Sequence, residues 1–339
     1  MKNSMKSLTI HKRNIPLVYA AGIALLLISA FLGILLGATT VSPVEIFAAI
    51  FGGESPGATI FRYVRLPRVL GSLLCGAALA VSGAVIQGVL ANRLASPSII
   101  GVNSGAGLAV TLCTALGMAG GWRMSAFAFL GAFAAVMTVN LGAKRWGASR
   151  GTVILMGVTM NSLLGAVSDG VTILMPEVSI LRNDFRIGDF SAVTYPKLIP
   201  AAAVILIALA ALLTLSNELD LLTLGEENAR SLGMNTRRMR FVFLMLAAAL
   251  AGAAVSVAGL LSFVGLLVPH TVRRIASNDA RHLMPLCGIF GAGFVTLCDT
   301  LSRVIFAPYE LPVGIIMAFI GAPFFLFVLI KGKGGRKDA

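Results

Sequence analysis

Few side chains in this sequence are equipped for bond chemistry. The three histidines, His11, His270 and His282, are scattered. The four cysteines, Cys75, Cys113, Cys287 and Cys298, each lie inside an apolar run with no CxxC pair. A metal site needs several such ligands at short spacing, so neither metal nor cofactor is expected, and the cysteines read as buried, inert thiols. No G-x-x-x-x-G-K-[ST] phosphate loop, GxSxG elbow or HExxH pair occurs. The chain is therefore expected not to be an enzyme and not to hydrolyse nucleotide itself. The ionisable groups that stand out do so by position. Asp169 and Asp299 are the acids within or at the edge of apolar segments, where an ionisable group is a functional candidate. Asp299 and Arg303 have the i,i+4 spacing of a helical ion pair, which favours a structural role. A second cluster, Arg62-Tyr-Val-Arg65-Leu-Pro67-Arg68, precedes a long apolar run. A third lies in the segment Thr223-Leu224-Gly225-Glu226-Glu227-Asn-Ala229-Arg230-Ser-Leu232-Gly233.

The elements that must position these groups follow from composition. Of 339 residues, 57% are apolar and only 12% charged, against about 25% charged in a soluble domain. So few charges cannot cover a water-facing surface. An ordinary soluble enzyme, a disordered chain and a disulfide-rich secreted domain are excluded, and a polytopic all-α membrane protein is left. The net charge of +13 would suggest nucleic acid in a soluble protein. Here the basic residues sit in short loops between apolar runs, so they report topology, and no nucleic-acid partner is expected.

Charge-free runs fall at 17–44, 69–92, 94–122, 124–143, 151–168, 198–217, 241–272, 283–298 and 311–330. The first is longer than a signal-peptide core of roughly 7–15 residues, so it reads as an uncleaved span. Nine crossings would separate two basic termini, which the positive-inside rule wants together. The 32 residues of 241–272 would stretch about 48 Å as one helix, and they contain Gly252, Gly259, Gly265 and Pro269. Crossing twice there puts 19 of the 27 Lys and Arg on one side and 8 on the other. Crossing once gives 13 and 14, with no bias. Ten spans with both termini cytoplasmic are therefore expected, at about 17–40, 69–90, 97–118, 124–143, 151–175, 198–217, 240–257, 260–273, 283–303 and 311–330, in one domain over 1–339. The two spans from 241–272 must be short or re-entrant. Frequent small residues, as in Gly288-Ile-Phe-Gly291-Ala-Gly293, suit close helix packing.

In this topology residues 218–238 form a cytoplasmic loop. Thr223 and Glu226 have capping-box spacing, Glu226 and Glu227 suit a first turn, Arg230 suits a last turn, and Gly233 suits a left-handed helix end. A helix of about nine residues is expected, with Leu224, Ala229 and Leu232 as its apolar face. It is either a bare surface helix or a docking element. Arg65, Arg68 and Arg303 fall on the external side, against the charge bias. They either snorkel to lipid phosphates or meet an acidic external partner. His270, beside Pro269, reads as a side chain bonded to local backbone.

Taken in order, these residues resemble a permease of the FecCD type, the membrane subunit of ABC importers for iron–siderophore, haem and cobalamin. The resemblance runs from about residue 17 to 330. It is carried by Arg65-Leu-Pro-Arg68, Gly76-Ala-Ala-Leu-Ala-Val-Ser-Gly83 with Gln87, Leu94-Ala-Ser-Pro97, and Gly101-Val-Asn-Ser-Gly-Ala106. It continues through Leu224–Gly233, Phe263-Val-Gly-Leu-Leu-Val-Pro269-His270 with Arg273, Asp299 with Arg303, Glu310-Leu-Pro312-Val-Gly314 and Gly321-Ala-Pro-Phe324. It implies a ten-span, type II ABC importer permease in a bacterial cytoplasmic membrane. The partners it implies are a second permease copy or a related permease, two ATPase subunits and an extracytoplasmic binding protein, with the lipid bilayer around them. By the same resemblance, Leu224, Gly225, Glu226, Glu227, Ala229, Arg230, Leu232 and Gly233 would couple to the ATPase. Arg65, Arg68 and Arg303 would dock the binding protein, and Pro269, His270, Arg273, Asp299, Glu310 and Pro312 would be structural. The cargo expected is a ferric siderophore or related metal chelate, with haem or cobalamin as alternatives. An ion-coupled secondary transporter is the reading from another class, and the scarcity of mid-membrane carboxylates counts against it. Two departures from the family pattern bear on cargo: Asn92-Arg93 replaces the usual Asn-Pro, and Phe185-Arg-Ile-Gly188-Asp189 replaces the usual Trp-x-x-Gly-Ser.

Overall fold

The computed structural model describes residues 14–37, 42–53, 55–118, 120–145 and 149–334. The basic N-terminal residues Lys2, Lys6, Lys12 and Arg13, and Arg336 and Lys337 at the other end, lie outside the described residues. Fifteen α-helices follow one another, with no strand among the described residues. They are α1 (Ile15–Leu35), α2 (Pro43–Ile50), α3 (Pro56–Ile60), α4 (Leu66–Leu90), α5 (Val102–Ala115), α6 (Gly121–Arg145), α7 (Arg150–Leu174), α8 (Ser179–Ile187), α9 (Tyr195–Thr214), α10 (Ser216–Thr223), α11 (Glu226–Ser231), α12 (Thr236–Ala258), α13 (Val264–Ile275), α14 (Ala280–Val304) and α15 (Val313–Gly334). Among the described residues, seven segments are long and apolar enough to cross a membrane: α1, Pro56–Leu90, α6, α7, α9, α12 and α14. Val102–Ala115 and Val313–Phe327 are shorter apolar helices.

Helix limits follow local chemistry. Ser55 Oγ accepts from Ala58 N, Ser149 Oγ from Thr152 N and Asn235 Oδ1 from Arg238 N, each satisfying an orphan donor of a first turn. A reciprocal capping box exists at Ser42–Glu45, where Ser42 N donates to Glu45 Oε2 at 2.9 Å and Glu45 N to Ser42 Oγ at 3.2 Å. The Ser42 donors hold the Glu45 carboxyl below the usual carboxylate range. The stretch expected to cross over 97–118 begins as turns and is helical only from Val102. Pro97 and Gly101, at φ +98°, hold the turn. The run 241–272 is two helices, α12 and α13, parted at residues 259–263. Gly259 (φ +71°) and Phe263 (φ +65°) make that break. At about 1.5 Å per residue the 12 residues of α13 reach only about 18 Å, short of a full bilayer crossing.

α4 is buried along nearly its whole length, so it is the hub. It packs on α12, α13 and α14, while α1 lies outside α14, and α5, α6 and α7 form a flank. Hydrocarbon gives no hydrophobic reward for helix association, so backbones must come close enough for dispersion to act. Gly76 of α4 faces Gly291 of α14, Gly83 faces Gly265 of α13, and Gly105 of α5 faces Gly131 of α6, each against backbone. α1, α7 and α9 expose many large apolar side chains, including Phe31, Leu163 and Ile207, as lipid-facing helices do. All four cysteines are free and buried. Maleimide is expected to leave the folded chain unlabelled and to add four groups after unfolding. Labelling of the folded chain at any cysteine would show that the packing there is wrong.

Candidate functional site

At one end of the bundle, α10 and α11 form a short two-helix foot. The expected capping box is not formed. Thr223 Oγ1 donates to Asp220 O at 2.7 Å, inside the last turn of α10, and Gly225, at φ +108°, is the N-cap of α11. Leu224 N and Gly225 N both donate back to α10 carbonyls. Thr223 is thereby kept helical and cannot take the extended backbone that an N-cap needs. α11 has six residues rather than about nine. Gly233 closes it at φ +86°, with Met234 N donating to Ala229 O. The expected apolar face divides in two. Ala229 is buried against the bundle, whereas Leu224 and Leu232 are 60% and 64% exposed.

This foot is fixed to the spanning helices. The Glu226 carboxylate pairs with the buried Arg240 of α12 and, at 3.7 Å, with Arg230. Arg230 Nε also donates to Thr236 Oγ1 at 3.2 Å. Arg150 Nη2 of α7 donates to Leu222 O at 2.9 Å. Asp220 Oδ1 accepts from Ala280 N at the start of α14, at 2.9 Å. Burial pushes the Asp220 carboxyl up, against the lowering effect of that Ala280 N–H, and nearby Asp279 pushes it up further. The foot is thereby tied to α7 and α14 through α10 and to α12 through α11. Glu227 is exposed, with no side-chain partner among the described residues.

The broken helix α13 is clamped to α4 by one side chain. Gln87 Nε2 donates to Gly265 O at 2.9 Å, while Gln87 Oε1 accepts from Arg273 Nη1. Arg273 Nη2 also reaches Ala84 O at 3.3 Å. Pro269 is buried inside α13. His270 is half-buried, and its side chain makes no hydrogen bond among the described residues. The expected backbone bond is not formed.

The opposite end carries the largest correction. Arg65, Arg68 and Arg303, expected to present themselves to an external partner, are only 3%, 3% and 2% exposed. Arg65 Nη1 donates to Ile34 O at 2.7 Å and Leu35 O at 2.6 Å, capping the end of α1. Arg68 Nε lies 3.0 Å from Asp299 Oδ1, Arg68 Nη1 lies 2.6 Å from Glu310 Oε2, and Arg68 Nη2 lies 3.8 Å from Asp189. Arg303 Nη2 lies 3.2 Å from Asp299 Oδ2 and donates to Gly33 O at 3.1 Å. Internal carboxylates and helix-end carbonyls are stronger partners for a buried guanidinium than a distant protein surface, because unpaired burial is so costly. Pro312 is half-buried and begins the turn into α15, where Ile315 N donates to its carbonyl. Asp169, by contrast, is exposed and pairs with Arg182.

Beside this cluster, the segment 185–189 is stitched into the bundle by backbone. Asp189 N donates to Ala258 O, Leu260 N to Phe185 O and Gly314 N to Gly188 O. An open groove of about 520 Å³ lies between α8, the 259–263 break and α15, lined by Arg186, Ile187, Ser262, Gly314, Ile315 and Phe319. Sequence reasoning missed Asp189 as a partner of Arg68 and Arg240 as the anchor of Glu226. No local spacing signals either pair, since each joins residues from different elements. Among the described residues no group of three or more His, Cys, Asp or Glu could hold a metal ion.

Comparison with known proteins agrees with this architecture. The chain is 32% identical to the Fe(3+)-citrate import system permease protein YfmE of Bacillus subtilis, over 95% of this chain and 97% of that one. It is 34% identical to the hemin transport system permease protein HmuU of Yersinia pestis, over 82% and 85%. A solved chain assigned to the metal-chelate type of ABC transporter, in an inward-facing conformation, superposes with a TM-score of 0.82 at 29% identity, covering 94% of this chain and 99% of that one. The model of the FecCD transport family matches residues 25–331, and with nearly every helix inside that match this chain belongs to the FecCD family of membrane transport permeases.

Proposed function

We propose that the chain is the membrane-spanning permease of an importer powered by a separate ATPase, and that it carries a ferric siderophore or related metal chelate inward across a bacterial cytoplasmic membrane. It pairs with a second copy or a related permease, and two ATPase subunits dock at the α10–α11 foot. An extracytoplasmic binding protein delivers cargo at the arginine–carboxylate rim, which Arg65, Arg68 and Arg303 shape from beneath. Ten crossings with both termini cytoplasmic give the strongest inside excess of Lys and Arg. α5, α13 and α15 are the shorter crossings, and the groove at Arg186 and Ser262 opens toward the pathway. The observation that carries the reading is α11: two exposed leucines, Leu224 and Leu232, flank a helix whose acidic residue is tied to a buried arginine of a spanning helix. ATP binding in the partner would move that foot and bias the bundle between outward- and inward-open states. The hemin permease relative favours haem as the second cargo.

Leu224→Asp/Leu232→Asp tests this reading. Both side chains are exposed, so the variant is expected to fold normally, to lose co-purifying ATPase and to bring chelate uptake to background. Full uptake with a stoichiometric ATPase would remove α11 as the docking element. Uptake by the chain alone under an ion gradient would replace the importer with a secondary transporter.

A further inference from the structure

A cavity of about 410 Å³ opens between α6, α7 and α12, at the same end of the bundle as α11. Its lining has two characters. Leu141, Ala143, Val153 and Phe241 form an apolar wall, and Leu141 and Phe241 are 51% and 37% exposed. Lys144, Arg237 and Arg238 are exposed, and their side chains make no hydrogen bond or ion pair among the described residues. Arg240 also lines the cavity but is already held by Glu226. Among the described residues no carboxylate is part of the lining. α7 begins at Arg150 and α12 at Thr236, so two helix N-termini add partial positive charge at the same end, offset in part by the C-terminus of α6 at Arg145.

Three uncompensated cations around one cavity repel one another, and an anion relieves the repulsion. The apolar wall narrows the choice of anion. A free phosphate would leave Leu141 and Phe241 facing water, whereas a phospholipid meets the cations and the apolar wall together. We propose that this cavity binds an anionic phospholipid, with its phosphate among Lys144, Arg237 and Arg238 and an acyl chain along Leu141 and Phe241. Basic pockets between spanning helices at the cytoplasmic face recognise such headgroups. The cytoplasmic placement rests on the topology proposed above. A lipid there would brace α6 and α12 directly beside the foot that receives the ATPase.

The test uses the full chain in a neutral detergent, offered phosphatidylglycerol or phosphatidylcholine and read by native mass spectrometry. One phosphatidylglycerol per chain is expected to be retained, with phosphatidylcholine about tenfold weaker or more, because each nearby Lys or Arg contributes about fivefold for an anionic lipid. Arg237→Gln/Arg238→Gln is expected to weaken phosphatidylglycerol about twentyfold, and Lys144→Gln alone about fivefold. Arg237→Lys/Arg238→Lys should keep most of the binding, and millimolar inorganic phosphate should not displace the lipid. Equal retention of phosphatidylcholine, no loss in the glutamine variants, or displacement by inorganic phosphate overturns the proposal. So does a glutamine variant that keeps its lipid but loses the ATPase, since its cations would then face protein. Lipid retention needs neither ATPase nor transport, so a negative result here leaves the importer reading intact. Failure of the Leu224/Leu232 test likewise leaves lipid binding intact.

Discussion

Asp299→Ala is expected to cost about 3–5 kcal/mol, the usual penalty for removing one side of a buried ion pair. Asp299 is fully buried and is shared by Arg68 and Arg303. Its loss leaves two guanidinium groups, 3% and 2% exposed, beside each other. Glu310 and Asp189 remain near Arg68, but both are about one-third exposed and neither pairs with Arg303. Against a typical total stability of about 5–15 kcal/mol, this is a large fraction. The measurement is the monodisperse yield and the thermal unfolding midpoint in detergent, and both should fall sharply. Arg68→Met/Asp299→Leu/Arg303→Met should recover part of the loss, because an apolar replacement carries no desolvation cost. It should not recover all of it, since Arg303 also bonds the carbonyls of Gly33 and Leu36 at the end of α1. The two roles for these arginines predict different results. Surface docking residues could be neutralised with normal folding and a weakened, salt-sensitive partner. A normally folded, fully stable Asp299→Ala protein would show that the buried cluster does not hold the rim together.

Gly83→Ala is expected to cost about 1–3 kcal/mol or more, as overpacking of a close contact does. A Cβ at Gly83 would come within 2.5 Å of Gly265 Cα, with the Gly265 carbonyl oxygen nearer still. Both neighbours are backbone, so no rotamer change can relieve the clash. Gly265 O is also the acceptor for Gln87 Nε2, so separating α4 from α13 breaks the clamp that holds the broken helix. Gly107→Ala on α5 is the control. A Cβ there meets nothing within 4 Å, and alanine favours a helix interior over glycine by roughly 0.5–1 kcal/mol. The two variants should therefore shift the unfolding midpoint in opposite directions. Equal midpoints would mean that α4 and α13 do not touch as the structure has them.

Much of the architecture is legible before any coordinates are seen, because the bilayer imposes a length and polarity that charge-free runs report directly. The break in 241–272 is legible for the same reason: 32 residues exceed one crossing, and glycines and a proline mark where the helix can part. The site is only half legible. Gly233 acts as its residue type requires, and Asp299–Arg303 pairs as its i,i+4 spacing suggests. Thr223 does not cap α11, although its spacing to Glu226 is right, while the same spacing at Ser42–Glu45 does form the box. What separates the two is whether the preceding backbone is free to be extended, and spacing alone does not contain that information.

The sequence by itself determined that the chain is a bundle of apolar helices, where its basic loops lie, that a short helix interrupts the longest loop, and which family it resembles. These depend on local composition and on the one-dimensional match between run length and bilayer thickness. Only the tertiary structure decided what the charges do. Arg68 meets Asp299 and Glu310 across more than 200 positions of sequence, and Glu226 meets Arg240 across a helix boundary. The charge on such a residue is visible in sequence, but its partner is fixed by how helices pack. That packing turned three apparent surface arginines into a buried rim, and left Lys144, Arg237 and Arg238 around one cavity without a side-chain partner among the described residues.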